Sequence, residues 1–182
     1  MCAQAEPLVL LDRDGVINRD SAQYIKSVAE WHPLPGSLEA IAQLTAAGFR
    51  IAVISNQSGI GRGLFSEATL AAIHGRMLAA VAAAGGSIAG VFFCPHRPDA
   101  GCACRKPKPG MLLQAAEAFG CELAGVPFIG DKLSDVQAAQ AVGARPILVG
   151  SGVALDVDAA VERFADLRAA AAALIGEREV QA

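Results

Sequence analysis

Charge is scarce in this chain, and so are aromatic rings. Of 182 residues, 18% are charged and 5% aromatic, and the net charge is −3. No basic run is interleaved with rings, so neither a duplex-binding surface nor a stacking groove for single strands is expected. No stretch of about 18 uncharged apolar residues occurs, and the Ala-rich segment 169–175 is too short to span a bilayer. Residues 1–7 offer no basic region followed by a long apolar one, so no secretion signal is expected and the compartment is read as the cytoplasm. The five cysteines are odd in number, which argues against a secreted disulfide framework. What is abundant is apolar: 53% of residues, enough to exclude a disordered chain.

That apolar content is punctuated regularly. Leu8–Leu11, Ile51–Ile54, Val91–Phe93, Pro127–Ile129 and Pro146–Val149 are short runs without polar alternation, as in strands buried on both faces of a parallel sheet. Helical patterns lie between them. Ser37 is placed to cap a helix carrying Leu38, Ile41 and Leu44. Ser66 is placed to cap one turning Leu70, Ile73, Met77, Leu78 and Val81 inward. Pro109 opens a third that stops at Gly120, and Ser134 with Gln137 fits a capping box for a fourth. A last helix is expected from about Asp158, through Val161, Phe164, Leu167 and Leu174. Strand–helix alternation of this kind predicts one doubly wound, mostly parallel α/β domain spanning residues 1–182.

Two stretches break the rhythm, residues 16–36 and 94–108. Long irregular insertions in compact domains are usually functional, and both follow a strand's carboxyl end, where open α/β sheets bind ligands. The chemistry-bearing residues cluster at the same ends. Asp12 and Asp14 follow the first strand, with Gly15 permitting the turn. Two carboxylates so close need a cation or a proton between them. Asp131 ends the fourth strand, and hard oxygen ligands from two strand ends suit Mg²⁺. Asp135 reads as a helix N-terminal acid. Ser55, Asn56, Gln57 and Ser58 end the second strand and could hold phosphate. Arg105, Lys106 and Lys108 form a short basic run. Cys94-x-His96 and Cys102-x-Cys104 supply three sulfurs and an imidazole, the ligand set of a closed structural Zn²⁺ site with no position left for water. Cys2 and Cys121 stand apart, as a terminal and a core thiol. His32 and His74 are read as structural.

The order of these sites, with the segment Leu11 to Asn18, resembles the haloacid dehalogenase superfamily of aspartate-nucleophile phosphatases, over residues 8 to about 150. Within it, the zinc loop is similar to that of two related families, the D-glycero-D-manno-heptose 1,7-bisphosphate 7-phosphatases and the histidinol-phosphate phosphatases. Segments 55–63, 94–96, 104–107, 109–112 and 130–132 follow the heptose pattern. Gly61, where that family often has Ala, is read as harmless. The short spacer between His96 and Cys102 is a second departure.

The resemblance implies a magnesium-dependent phosphatase without a large cap domain. Asp12 is then the nucleophile, forming an aspartyl-phosphate, and Asp14 the general acid and base. The Asp12 carboxylate, the Asp14 carbonyl and Asp131 hold Mg²⁺, while Ser55 and Lys106 hold the phosphoryl group. Residues 16–36 become a flap, with Asp20 and Tyr24 reaching sugar hydroxyls. A second phosphate falls to Arg105 or Lys132. The partner expected is a small sugar phosphate, met by a monomer in heptose activation for lipopolysaccharide. Histidinol phosphate is the rival substrate. A non-catalytic zinc-binding module should lack one of the acids, and Asp12, Asp14 and Asp131 are all present.

Overall fold

In the computed structural model, residues 6–150 and 157–181 are described; Cys2 lies outside them. Six parallel strands form one sheet in the order β3-β2-β1-β4-β5-β6. They are β1 (Leu8–Leu11), β2 (Arg50–Asn56), β3 (Gly90–Cys94), β4 (Pro127–Gly130), β5 (Arg145–Val149) and β6 (Glu162–Phe164). The helices are α1 (Ser37–Ala46), α2 (Ser58–Gly61), α3 (Glu67–Ala83), α4 (Gly110–Phe119), α5 (Leu133–Gln140) and α6 (Leu167–Gln181). The expected doubly wound topology is present.

The pleat divides the core in two. Val9 and Leu11 face a cluster with Ile41, Leu44, Ile73, Met77 and Leu174 from α1, α3 and α6. Leu8 and Leu10 face Met111, Leu112, Ala138 and Ala139 from α4 and α5. Both faces are covered, which is why the strand sequences never alternate with polar residues. Strand order reverses at β1, between β2 and β4, and such a switch point is where open α/β sheets leave a crevice.

Local expectations needed correcting. Ser66 does cap α3, accepting from the Thr69 amide at 3.1 Å. Ser37 does not cap α1: Gly36, at φ 77°, holds that position, and the buried Ser37 hydroxyl donates to the Ile17 and Leu34 carbonyls. Leu78 is exposed, on the outer side of α3. At α5 the acid that caps is Asp135, whose Oδ2 accepts from the Lys132 amide at 3.0 Å, not the Ser134–Gln137 pair. The final helix begins at Leu167; Glu162–Phe164 is instead strand β6, pairing with β5. Apolar residues at 161, 164 and 167 satisfy a helical period, but hydrogen bonding to the open β5 edge is available only to an extended segment.

The insertion 16–36 is also more than a lid. Val16, Ile17, Ile25 and Trp31 are buried in the larger core cluster, while residues 19–23, 28–30, 32 and 35 are exposed. Its apolar residues root it, and a 3-10 turn at Val28–Glu30 is its one helical element.

Candidate active site

Register brings the acids together. Leu11 pairs with Val53 on one side and Ile129 on the other, and the Asp12 amide donates to the Ile129 carbonyl at 2.8 Å. Asp12 and Asp131 therefore leave adjacent strand ends at nearly the same level. Asp12, Asp131 and Asp135 each present a carboxylate oxygen, all within 4.8 Å of one another. Two glycines make the approach possible. A Cβ on Gly15, at φ +87°, would lie 2.0 Å from Asp131 Oδ2, and one on Gly130 2.3 Å from the Asp135 Cβ. Asp135 was expected to be only a capping acid. It caps and also faces the site, and it is 2% exposed. The available signal was its place four residues after Asp131, in the first turn of α5.

Two cations answer these acids: Lys132, whose Nζ lies 3.8 Å from Asp131 Oδ1, and, more closely, Lys106. Lys106 is 3% exposed; its Nζ lies 3.0 Å from Asp12 Oδ1 and 2.7 Å from Asp135 Oδ1, and donates to the Ile54 carbonyl at 2.9 Å. Burial alone would lower the Lys106 ammonium, but Asp12 and Asp135 hold it above its ordinary value. Negative charge still exceeds positive. Burial pushes the Asp12 carboxyl up to about 7 and the Asp131 carboxyl up to about 6. Asp131 Oδ1 is buried without a hydrogen-bond partner. Three hard oxygens with an orphaned lone pair fit a divalent cation such as Mg²⁺.

The Asp14 carboxylate belongs to a different set of contacts. Arg13 forks onto it, Nε to Oδ1 at 3.0 Å and NH2 to Oδ2 at 2.9 Å. Asn18 Nδ2 donates to Oδ1 at 2.8 Å and Gln57 Nε2 to Oδ2 at 2.9 Å. Arg13 and Asn18, not anticipated as site residues, are 1% and 0% exposed. A polar pair buried beside Asp12-x-Asp14 is invisible until burial is known.

The second insertion delivers Lys106. Asn56 pairs with Cys94 across β2 and β3, and the Gln57 amide donates to the Cys94 carbonyl at 2.7 Å. The chain then loops through His96, Cys102 and Cys104. The Asn56 amide grips the Lys106 backbone from both sides, Nδ2 to the carbonyl and Oδ1 from the amide, each at 3.1 Å. Cys94 Sγ lies 3.5 Å from His96 Nδ1, 3.6 Å from Cys102 Sγ and 3.2 Å from Cys104 Sγ, and His96 Nδ1 lies 3.3 Å from Cys104 Sγ. Sulfurs so far apart are not disulfide-bonded. Ligands at roughly 2.0–2.3 Å around a tetrahedral ion would be spaced about 3.4–3.8 Å apart, so the cluster fits zinc with a slight expansion.

The basic run is not a solvated stripe. Lys106 enters the core, Lys108 ties the loop to the Gly101 and Cys102 carbonyls, and Arg105 lines a cavity. Gly61 touches this loop too. Its amide donates to the Pro95 carbonyl at 2.9 Å, and a Cβ there would meet that oxygen at 2.7 Å. The glycine is therefore not neutral here, because Ala would push against the short loop.

The cavity, about 280 Å³, is lined by Asp14, Asp20, Ser21, Tyr24, Ile25, Asn56, Gln57, Arg105, Lys106, Lys132 and Ser134. A smaller pocket beside it touches Asp12 and Asp135. Asp20 and Tyr24 are thus at the site, and Asp20 pairs with Lys132 at 2.9 Å. Ser58 lies buried in α2, and Ser55 is buried as well; neither lines these two pockets. Ser55 Oγ accepts from Gln57 Nε2 at 2.8 Å, leaving its own O–H free to donate. His32 is exposed, His74 is buried, and Cys121 packs partly buried against the second core cluster.

Comparison with known proteins agrees with this geometry. Residues 103–174 match the HAD-hydrolase-like family. The D-glycero-beta-D-manno-heptose-1,7-bisphosphate 7-phosphatase of Pseudomonas putida is 57% identical over 145 residues, covering 80% of this chain and 83% of that one. This chain belongs to that phosphatase family. The Escherichia coli member is more distant, 38% identical over 82% of each chain. The B. bronchiseptica D,D-heptose 1.7-bisphosphate phosphatase, solved with magnesium and phosphate, superposes with TM-score 0.90 at 47% identity, covering 94% of this chain and 99% of that one. The chain is accordingly a HAD-like phosphatase without a large cap domain.

Proposed function

We propose that this phosphatase removes the C7 phosphate of D-glycero-β-D-manno-heptose 1,7-bisphosphate, within a route to nucleotide-activated heptose for lipopolysaccharide. The observation that carries the reading is a cavity lined by three cations, Arg105, Lys106 and Lys132. Lys106 lies at its base beside Asp12, and Arg105 lies on its wall. A bisphosphate places one phosphoryl group at each. Arg105 suits the distal phosphate better than Lys132, whose ammonium is engaged by Asp20; the Arg105 NH1 contact to the His96 carbonyl is long, at 3.5 Å. An enzyme named for this substrate shares 57% identity with the chain, which supports the same reading.

The Asp12 carboxylate attacks phosphorus. Oδ1 is anchored by the Arg13 amide at 2.7 Å and by Lys106, so Oδ2 is the oxygen those bonds leave to react. The P–O bond to the sugar breaks as Asp14 delivers a proton to the leaving oxygen, and Asp12 carries the phosphoryl group. Asp14 then takes a proton from water as that water attacks phosphorus, and phosphate leaves. Lys106 faces the phosphoryl oxygens, positioning charge as such transfer requires. Mg²⁺, held by Asp12, Asp131 and the Asp14 carbonyl with Asp135 beside them, would supply neutralisation of the phosphoryl charge. Asp20 and Tyr24 meet the sugar hydroxyls. The enzyme works as a cytoplasmic monomer.

Zinc in the Cys94, His96, Cys102 and Cys104 cluster has a structural task, fixing the backbone that presents Arg105 and Lys106. Cys104→Ala is expected to lower both the melting temperature and kcat, measured with zinc content. Unchanged turnover in a zinc-free variant would show that the loop does not position the cations.

The substrate is tested by kcat/KM for both heptose anomers and for histidinol phosphate, in the unaltered enzyme and in Arg105→Ala. The β-bisphosphate should be the best substrate. Arg105→Ala should cost it roughly 10–100-fold, the worth of a charge-assisted contact, and leave the monophosphate nearly unaffected. Equal losses on both, or preference for histidinol phosphate, would contradict the reading.

A further inference from the structure

Three contacts seat the loop that carries the cysteine–histidine cluster and Arg105, and two of them need glycine. Gly61, the last residue of α2, donates its amide to the Pro95 carbonyl at 2.9 Å; a Cβ there would stand 2.7 Å from that oxygen and 3.0 Å from the Arg97 nitrogen. Gly110, the first residue of α4, donates to the Ala103 carbonyl at 3.2 Å; a Cβ there would stand 2.5 Å from that oxygen and 2.9 Å from the Cys104 Cα. Real Cβ atoms do not come so close to backbone, so an added methyl must move something. The third contact is the Asn56 side chain, which holds the Lys106 backbone from both sides at 3.1 Å.

What moves is the loop. α2 continues β2 with Ser58 and Gly59 buried, and α4 is rooted by Met111 and Leu112, whereas residues 96–101 are exposed. A segment with few buried contacts yields before one rooted in the core. Only five residues, 97–101, separate His96 from Cys102, so there is little slack to absorb a push. Gly61 and the short spacer, the two departures from the heptose pattern, belong together: a tight loop lies directly on α2. His96 sits between the two residues that Gly61 touches, and its Nδ1 is 3.3 Å from Cys104 Sγ. A displacement at either glycine therefore reaches Cys104 and the next residue, Arg105. It stops at Lys106, whose Nζ is fixed by Asp12, Asp135 and the Ile54 carbonyl and whose backbone is held by Asn56.

We propose that Gly61 and Gly110 are positioning residues for Arg105, and through it determine selectivity for a substrate with a second phosphate. By letting α2 and α4 touch the loop backbone, they set where the Arg105 guanidinium meets the cavity, without setting Lys106. A guanidinium grips phosphate through a directional fork, so a small shift is felt there. The inference rests on the distal-phosphate role given to Arg105 above.

Gly61→Ala and Gly110→Ala are compared with the parent on the bisphosphate and on heptose 7-phosphate, with zinc content measured for each protein. Either variant should raise KM for the bisphosphate at least about threefold, keep its kcat within about twofold, and leave the 7-phosphate unaffected, the signature of binding lost at a group the monophosphate lacks. In an Arg105→Ala background the same substitutions should cost nothing further, because the contact they position is already gone. Strictly additive losses, equal losses on both substrates with or without zinc, or no loss in either variant would overturn the proposal. A measurement on the unaltered enzyme covers failure of the variants to fold. Hydrogen exchange at the Gly61 and Gly110 amides should be slowed by D-glycero-β-D-manno-heptose 1-phosphate, which carries the distal phosphate, and not by inorganic phosphate, because a ligand on Arg105 and the seat beneath it are linked. Equal slowing by both, or by neither, would overturn it. Arg105→Ala alone separates the levels. If it weakens the bisphosphate selectively while both glycine variants behave as the parent, only this inference fails. If it weakens both substrates equally, the distal-phosphate reading fails and takes the inference with it.

Discussion

Asp12→Asn is expected to abolish turnover while leaving the protein folded and, without metal, more stable than the parent. An amide at position 12 has no anionic oxygen to attack phosphorus, and loss of a nucleophile of this kind costs on the order of 10⁴-fold or more. Stability should move the other way. The Asp12 carboxyl is buried beside Asp131 and Asp135, and its ionisation is opposed first by desolvation and then, despite Lys106, by neighbouring acids. Asn removes that charge and can keep the hydrogen bond from the Arg13 amide. Strain of this sort is what active sites retain at the expense of stability. Phosphate release and thermal unfolding in chelator, run on the same preparations, check both halves. A destabilised Asp12→Asn protein would mean that the acids are already compensated and need no metal.

Lys106→Met should fail on both counts. The side chain is replaced at similar bulk, but its charge is what Asp12 and Asp135 lean on at 3.0 and 2.7 Å. Removing one partner of a buried ion pair strands the others, at a cost of about 3–5 kcal/mol. Chemical denaturation should show that loss, and turnover should fall with it because the phosphoryl oxygens lose their cation. Adding Asp12→Asn to Lys106→Met should recover part of the stability, since the stranded charge is then gone; strictly additive losses would argue against a direct pair.

Much of this was legible before the fold was known. Strands buried on both faces give continuous apolar runs, and acids placed where those runs stop must meet at one sheet edge, so Asp12 and Asp131 could be paired from spacing alone. The Cys94, His96, Cys102 and Cys104 cluster is local in sequence and needed no fold. The misses share a cause. Asp135 and Arg13 matter through burial and through partners distant in sequence, as with Asp135 and Lys106 or Arg13 and His74, the last pair 61 residues apart. Strand β6 reads as helix in the sequence because its three residues carry too little pattern to compete with a helical period; the open edge of β5 decides. Trp31 and Ile25 looked like loop residues for the same reason, since an insertion's anchor is defined by the core it reaches.

The central claim is that Asp12, set among Asp131, Asp135 and Lys106, takes the phosphoryl group onto its own carboxylate. Acid quench during steady-state turnover of the bisphosphate with magnesium, followed by peptide mass spectrometry, tests it most directly. A phosphoryl adduct on Asp12, absent without magnesium and absent in Asp12→Asn, is the predicted result. An adduct on another residue, or full turnover with no adduct on Asp12 even in a variant that accumulates intermediate, would contradict it.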